Sequence, residues 1–99
     1  MNADFSSLYN HHEREVFTAV LDASKDFPEI AASNDLLCDV CCVALNRLPP
    51  RYIRHEVDFS FYLTQHERVE IDRAIAEAVS YAFNFVQART ALRVRTDAA

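Results

Sequence analysis

Ninety-nine residues, 51% of them hydrophobic, suffice for one hydrophobic core and not for two, so the chain reads as a single domain over 1–99. A formal net charge of -5 argues against bulk nucleic-acid binding, which needs a broad Lys and Arg surface, and the absence of glycine removes the Walker phosphate loop and the dinucleotide-binding fingerprint. No apolar run is long enough to span a bilayer and the start, MNADFSS, has no basic, apolar signal pattern, so a cytoplasmic protein with no membrane partner is expected.

Leu8, Tyr9, Val16, Phe17, Val20 and Leu21 recur at helical spacing and predict an amphipathic helix from about Ser7 to Ala23. SKDFPEIAASN then reads as a connection holding a short turn of helix, pinned by Phe27 and Ile30. Asn34 or Asp35 is expected to cap a second helix, which must stop at Pro49 and Pro50 because the residue before a proline is pushed out of helical geometry. Its apolar residues, Leu36 to Leu48, cover nearly the whole circumference, the pattern of a buried helix at the centre of the core.

After the prolines, RYIRHEVDFSFYL is aromatic, β-branched and partly alternating, which predicts a short extended strand. A lone strand leaves its backbone groups unpaired, and with no second strong candidate in the chain a twofold partner is the expected source of its neighbour. TQHE at Thr64–Glu67 is a capping box. It opens the longest periodic segment, with Ile71, Ile75, Ala78, Val79, Ala82, Phe83 and Val86 in one stripe to about Thr90. A helix of about 26 residues is about 39 Å long, too long for a compact chain of this size, so it bends or packs on a second subunit. The core is expected over about residues 8–90, with 1–6 and the tail 91–99 flexible.

Three cysteines within CDVCC are too close in sequence for a disulfide framework and suit a reducing compartment. Zinc at Cys38 and Cys41 would need two further ligands, and His11, His12, His55 and His66 stand in no ligand spacing. A redox dithiol would follow a strand of a βαβ unit. The reading adopted is that Cys38, Cys41 and Cys42 are small core residues, with metal and redox roles as alternatives. His11 and His12 point about 100° apart on a helix and read as a solvated face. No carboxylate dyad or nucleophile elbow is visible, which argues against an enzyme.

The positive charge gathers where the backbone is stiffest. Arg47, Arg51, Arg54 and His55 flank Pro49-Pro50, which lowers the entropy cost of arranging guanidinium groups around an anion. Tyr52 can offer an aromatic face to a purine. The alternative is that these arginines pair with Asp39, Glu56 and Asp58 while Tyr52 and Ile53 pack in the core.

The run CDVCCVALNRLPPRYIRH resembles the ComFB family of late competence proteins, most closely over Asp39–Ile53, and the order of elements around it extends the resemblance to about residues 8–90. The resemblance implies a small, mainly α domain of three to four helices with one short strand after the Pro-Pro, forming homodimers and having no enzymatic activity or cofactor. Some relatives look like cyclic dinucleotide receptors. The resemblance to others implies zinc held through cysteines, which these do not match ligand for ligand, so zinc is not favoured. A cyclic dinucleotide is itself nearly twofold, so one basic segment per subunit would suffice. In that reading Arg47, Arg51 and Arg54 meet phosphate or guanine edges, with Arg51 foremost, Tyr52 stacks on a base, and His55 and Asp58 are polar partners. Guanine acceptors tilt the ligand toward cyclic di-GMP over cyclic di-AMP. The signal would pass to an unidentified downstream protein. The alternatives are a ligand-free dimeric interaction module, with an exposed patch at Phe59, Phe61 and Tyr62, and a zinc-stabilised structural domain.

Overall fold

In the computed structural model, residues 2–98 are described, and the side chains at 58, 62 and 96–98 lie outside the described residues. The chain runs β1 (Tyr9–Asn10), α1 (His12–Ala23), a 3-10 turn (Ser24–Asp26), α2 (Pro28–Ala31), α3 (Asn34–Asn46), β2 (Tyr52–Ile53), α4 (Glu56–Tyr62) and α5 (Gln65–Ala98). Among the described residues no helix is long and apolar enough to cross a membrane.

Val16 and Val20 on α1, Val40 and Ala44 on α3, and Ile75, Ala78, Val79, Ala82, Phe83 and Val86 on α5 are spaced so that each helix turns one face inward. The three helices pack on one another, with Ile30 and Leu48 closing the core. Asp39 meets Arg89 and Arg47 meets Tyr81, so α3 and α5 run antiparallel. Phe83 has no exposed surface and stacks on Phe27 with ring centroids 4.6 Å apart. The mainly α single domain is therefore as the periodicity predicts, with five α-helices among the described residues where three to four were expected.

Several local expectations are corrected. The first helix begins at His12, not Ser7, because Tyr9 and Asn10 pair antiparallel with β2 in the register Tyr9↔Ile53 and Asn10↔Tyr52. The strand after the prolines thus finds its neighbour in the same chain, where a partner chain had been expected to supply it. Only Tyr52 and Ile53 of the predicted extended run are strand; residues 56–62 form α4. Val57, Phe59 and Phe61 fit a strand equally well by period, but on a helix only Phe59 turns inward (9% exposed) while Val57 and Phe61 face solvent. The α3 cap is Ser33, whose Oγ accepts the Leu36 N–H at 3.2 Å, rather than Asn34 or Asp35. The helix is buried on one side only, through Val40 and Ala44, because the single layer of α1 and α5 leaves its far face uncovered.

Thr64 caps α5 as expected, its Oγ accepting the Glu67 N–H at 3.1 Å. The helix then runs past Thr90 to Ala98, 34 residues or about 51 Å. That length sets the shape, with extents of 53 × 41 × 20 Å and a radius of gyration of 16.3 Å, against about 13 Å for a compact chain of this size. Val86 is the last core residue on it.

Replacing Phe83 by Ala removes the largest fully buried side chain and its stacking on Phe27, and is expected to cost about 3–5 kcal/mol in urea denaturation.

Candidate functional site

A Pro-Pro pair offers no backbone donor, so the segment after α3 must be held through its neighbours. The Asn10 side chain does this. Its Oδ1 accepts the N–H of Arg51 at 3.1 Å and the N–H of His12 at 3.3 Å, while the Arg51 carbonyl accepts the His11 N–H at 2.7 Å. One asparagine therefore starts α1 and fastens the prolines to it.

Beneath the prolines lies His12, only 7% exposed. Burial pushes its pKa below the ordinary value, His11 beside it and Arg51 add to the shift, and a hydrogen bond to the Pro49 carbonyl and the charge of Glu15 oppose it. The His11 ring lies 5.8 Å from that of His12 and 4.1 Å from that of Phe59. The Nδ1 atoms of both histidines are buried without a hydrogen-bond partner. The expectation of a solvated histidine face is thus overturned for His12, because α1 starts late and turns that position inward. A cavity of about 350 Å³ opens beside it, lined by His12, Pro49, Pro50, Arg51, Phe59 and Glu70 among others.

Arg51, Tyr52, Arg54 and His55 are all exposed on the segment above this cluster, with Tyr52 at 70%. Tyr52 therefore does not pack in the core, whereas Ile53 is half-buried. The Arg51 guanidinium lies over the Phe59 ring, 4.8 Å from its centroid. His55 precedes α4 without a side-chain cap bond, and the Asp58 side chain lies outside the described residues. Arg47 is set apart from these. It sits at the end of α3 with its guanidinium 3.7 Å from the centroid of Tyr81 on α5.

Two of the three acids that might have neutralised these arginines are engaged elsewhere. Asp39 pairs with Arg89 at 3.0 Å and Glu56 with Arg14 at 3.9 Å. Among the described residues no carboxylate lies within ion-pair distance of Arg47, Arg51 or Arg54. The two guanidinium groups that are held rest on aromatic faces, which fix a planar cation without consuming its charge.

The expectation that the cysteines are small core residues fails for Cys38 and Cys42, whereas Cys41 packs against the core. Cys38 and Cys42 are exposed and Cys41 is half-buried, because they straddle the uncovered side of α3. Burial, with the neighbouring thiols, pushes the Cys41 pKa up. Among the described residues no group of three or more His, Cys, Asp or Glu side chains is placed to hold a metal ion.

The family model for the late competence development protein ComFB matches residues 9–90. The chain belongs to the ComFB family. No curated protein and no solved structure matches it. The ComFB region starts at the first residue of β1, so it takes in the whole clasp between Asn10 and the prolines as well as the arginine segment. The last turns of α5, residues 91–98, lie beyond it.

Asn10 was not singled out, because the periodicity placed it inside a helix from about Ser7; His12 was read as part of a solvated face and Phe59 as part of an exposed patch, and both are buried instead.

His12 sets a pH dependence whose sign follows from burial. Its folded pKa lies below the unfolded value of about 6.5, so the unfolded chain takes up the proton first and stability falls as pH drops through and below that value. The fall in melting temperature between about pH 7 and 5 should be smaller in His12→Gln than in the wild type. With a disulfide-exchange reagent on the native protein, Cys38 and Cys42 should react fast and Cys41 slowly, the order being read by mass spectrometry of the labelled peptides.

Proposed function

We propose that this ComFB-family protein is a non-catalytic, homodimeric cytoplasmic receptor for a cyclic dinucleotide, with cyclic di-GMP preferred over cyclic di-AMP, and that it passes the signal to a downstream protein. One observation carries the reading: Arg47, Arg51 and Arg54 have no carboxylate partner among the described residues, while Asp39 and Glu56 are paired with other arginines. In an acidic protein this leaves a local excess of positive charge around a rigid proline pair, as a phosphate site requires.

Arg51 and Arg54 meet the phosphates or the guanine edges, and Tyr52, exposed at 70%, stacks on a base. His55 and Asp58 serve as polar partners at the start of α4. Arg47, resting on Tyr81, contributes from the α5 side. The ligand's near-twofold symmetry lets two subunits apply the same residues to its two halves.

A second reading is favoured by α4. Val57 and Phe61, one turn apart, are 79% and 81% exposed, a pair suited to contact with another protein.

Isothermal titration with cyclic di-GMP and, separately, cyclic di-AMP decides between them. Binding at micromolar or tighter affinity, near one ligand per dimer and abolished by Arg51→Ala, is the expected result. No heat with either ligand would overturn the receptor and leave the α4 face as the functional surface.

A further inference from the structure

α5 carries a second apolar stripe besides the one it buries. Tyr81, Phe85, Ala88 and Leu92 follow one another at intervals of four, three and four residues, the spacing of a coiled-coil seam. Tyr81 and Phe85 are each 43% exposed and Leu92 is 63% exposed. The Tyr81 and Phe85 rings stack with centroids 6.0 Å apart. Both meet a guanidinium, Tyr81 that of Arg47 at the end of α3, 3.7 Å from the ring centroid, and Phe85 that of Arg89 on α5 itself, 5.8 Å from its centroid. Arg89 is itself fixed by its ion pair with Asp39. The stripe is thus a preorganised surface, which lowers the entropy cost of covering it.

The charges at its ends are of opposite sign and evenly placed. Glu77 lies one turn before Tyr81 and Arg95 lies three residues after Leu92, both exposed. The midpoint of Glu77 and Arg95 coincides, to about half a residue, with the midpoint of the stripe between Phe85 and Ala88. Reversing the helix about that point lays the apolar residues on one another and each charge on its opposite. A twofold interface needs this self-complementarity, and a surface built for an unrelated partner does not.

We infer that the Tyr81–Leu92 stripe of α5 is the homodimer face, packed antiparallel against the same stripe of a second copy with its axis near residue 86. Glu77 then faces Arg95 of the partner subunit, and Arg95 faces the partner's Glu77. A parallel arrangement would set like charges together at both ends and is disfavoured. The same pairing explains why α5 extends well past its last core residue, Val86: the overhang lies along the second subunit. This inference rests on the dimeric reading above and adds the face and its register.

Sedimentation equilibrium on the full chain tests it, with circular dichroism as a control for folding. Wild type should be a dimer, and Phe85→Glu, at a half-exposed position, should be a helical monomer. Glu77→Arg alone and Arg95→Glu alone should each weaken the dimer by about tenfold or more through like-charge contact, and the double exchange should restore it to within about threefold. A dimeric Phe85→Glu, or a double exchange that fails to recover, would overturn the face or its register. Titration of cyclic di-GMP into the same proteins separates the two readings. A dimer that binds ligand but ignores these substitutions leaves the receptor standing and removes this face, whereas a monomeric wild type that binds nothing removes both.

Discussion

The clasp at Asn10 is the constraint on which the site depends. Two prolines follow α3 and offer no backbone donor, so their segment is tied down through the Pro49 carbonyl and through the residues beside them. The amide oxygen of Asn10 takes the N–H of Arg51 on one side and of His12 on the other, and the Arg51 carbonyl closes the ring of bonds with His11. The start of α1, the direction of the proline segment and the position of the first arginine after it are therefore one feature. β1 and β2 are two residues each, too short to be a stable sheet alone. They persist because both ends are anchored to helices that share the core.

Beneath the clasp the balance of energies is unusual for so small a protein. His12 is buried with an unpartnered Nδ1, and His11 has another, a cost of about 1–3 kcal/mol for each unsatisfied group. Above it, arginines stand without a carboxylate among the described residues, while Asp39 and Glu56 are paired with arginines from α5 and α1. Structure is stabilised by the apolar layers of α1, α3 and α5, and the proline end carries the uncompensated polar groups.

The long helix has two faces with different work. One is completed inside the subunit by Val40, Ala44 and the α1 valines. The other is braced at its edge by Arg47 and Arg89, so an arginine of the candidate site rests on an aromatic ring of α5.

Much of this was legible in the chain itself. The helical period of Val16–Val20 and of Ile75–Val86, the capping box at Thr64, the stop at Pro49 and the motif through Arg51 and Tyr52 are local signals, and each describes a segment that behaves the same in any surroundings. The failures share a cause. Val57, Phe59 and Phe61 fit a strand and a helix equally well until Phe59 finds His11 and Arg51 to pack against. The apolar residues of α3 promised burial all round, but burial depends on how many neighbours a helix has, and with neighbours on one side only Cys38 and Cys42 stay exposed. Tyr9 and Asn10 carry no strand signal, and only the arrival of Ile53 and Tyr52, remote in sequence, makes them one. Sequence alone thus determined the bodies of α1, α3 and α5, the stop of α3 before the prolines, the family and the arginine-bearing motif, because those follow from periodicity and backbone stereochemistry. Tertiary structure alone decided which acids meet which arginines, that His12 is buried and that the second strand comes from the same chain, because those are encounters between residues remote in sequence.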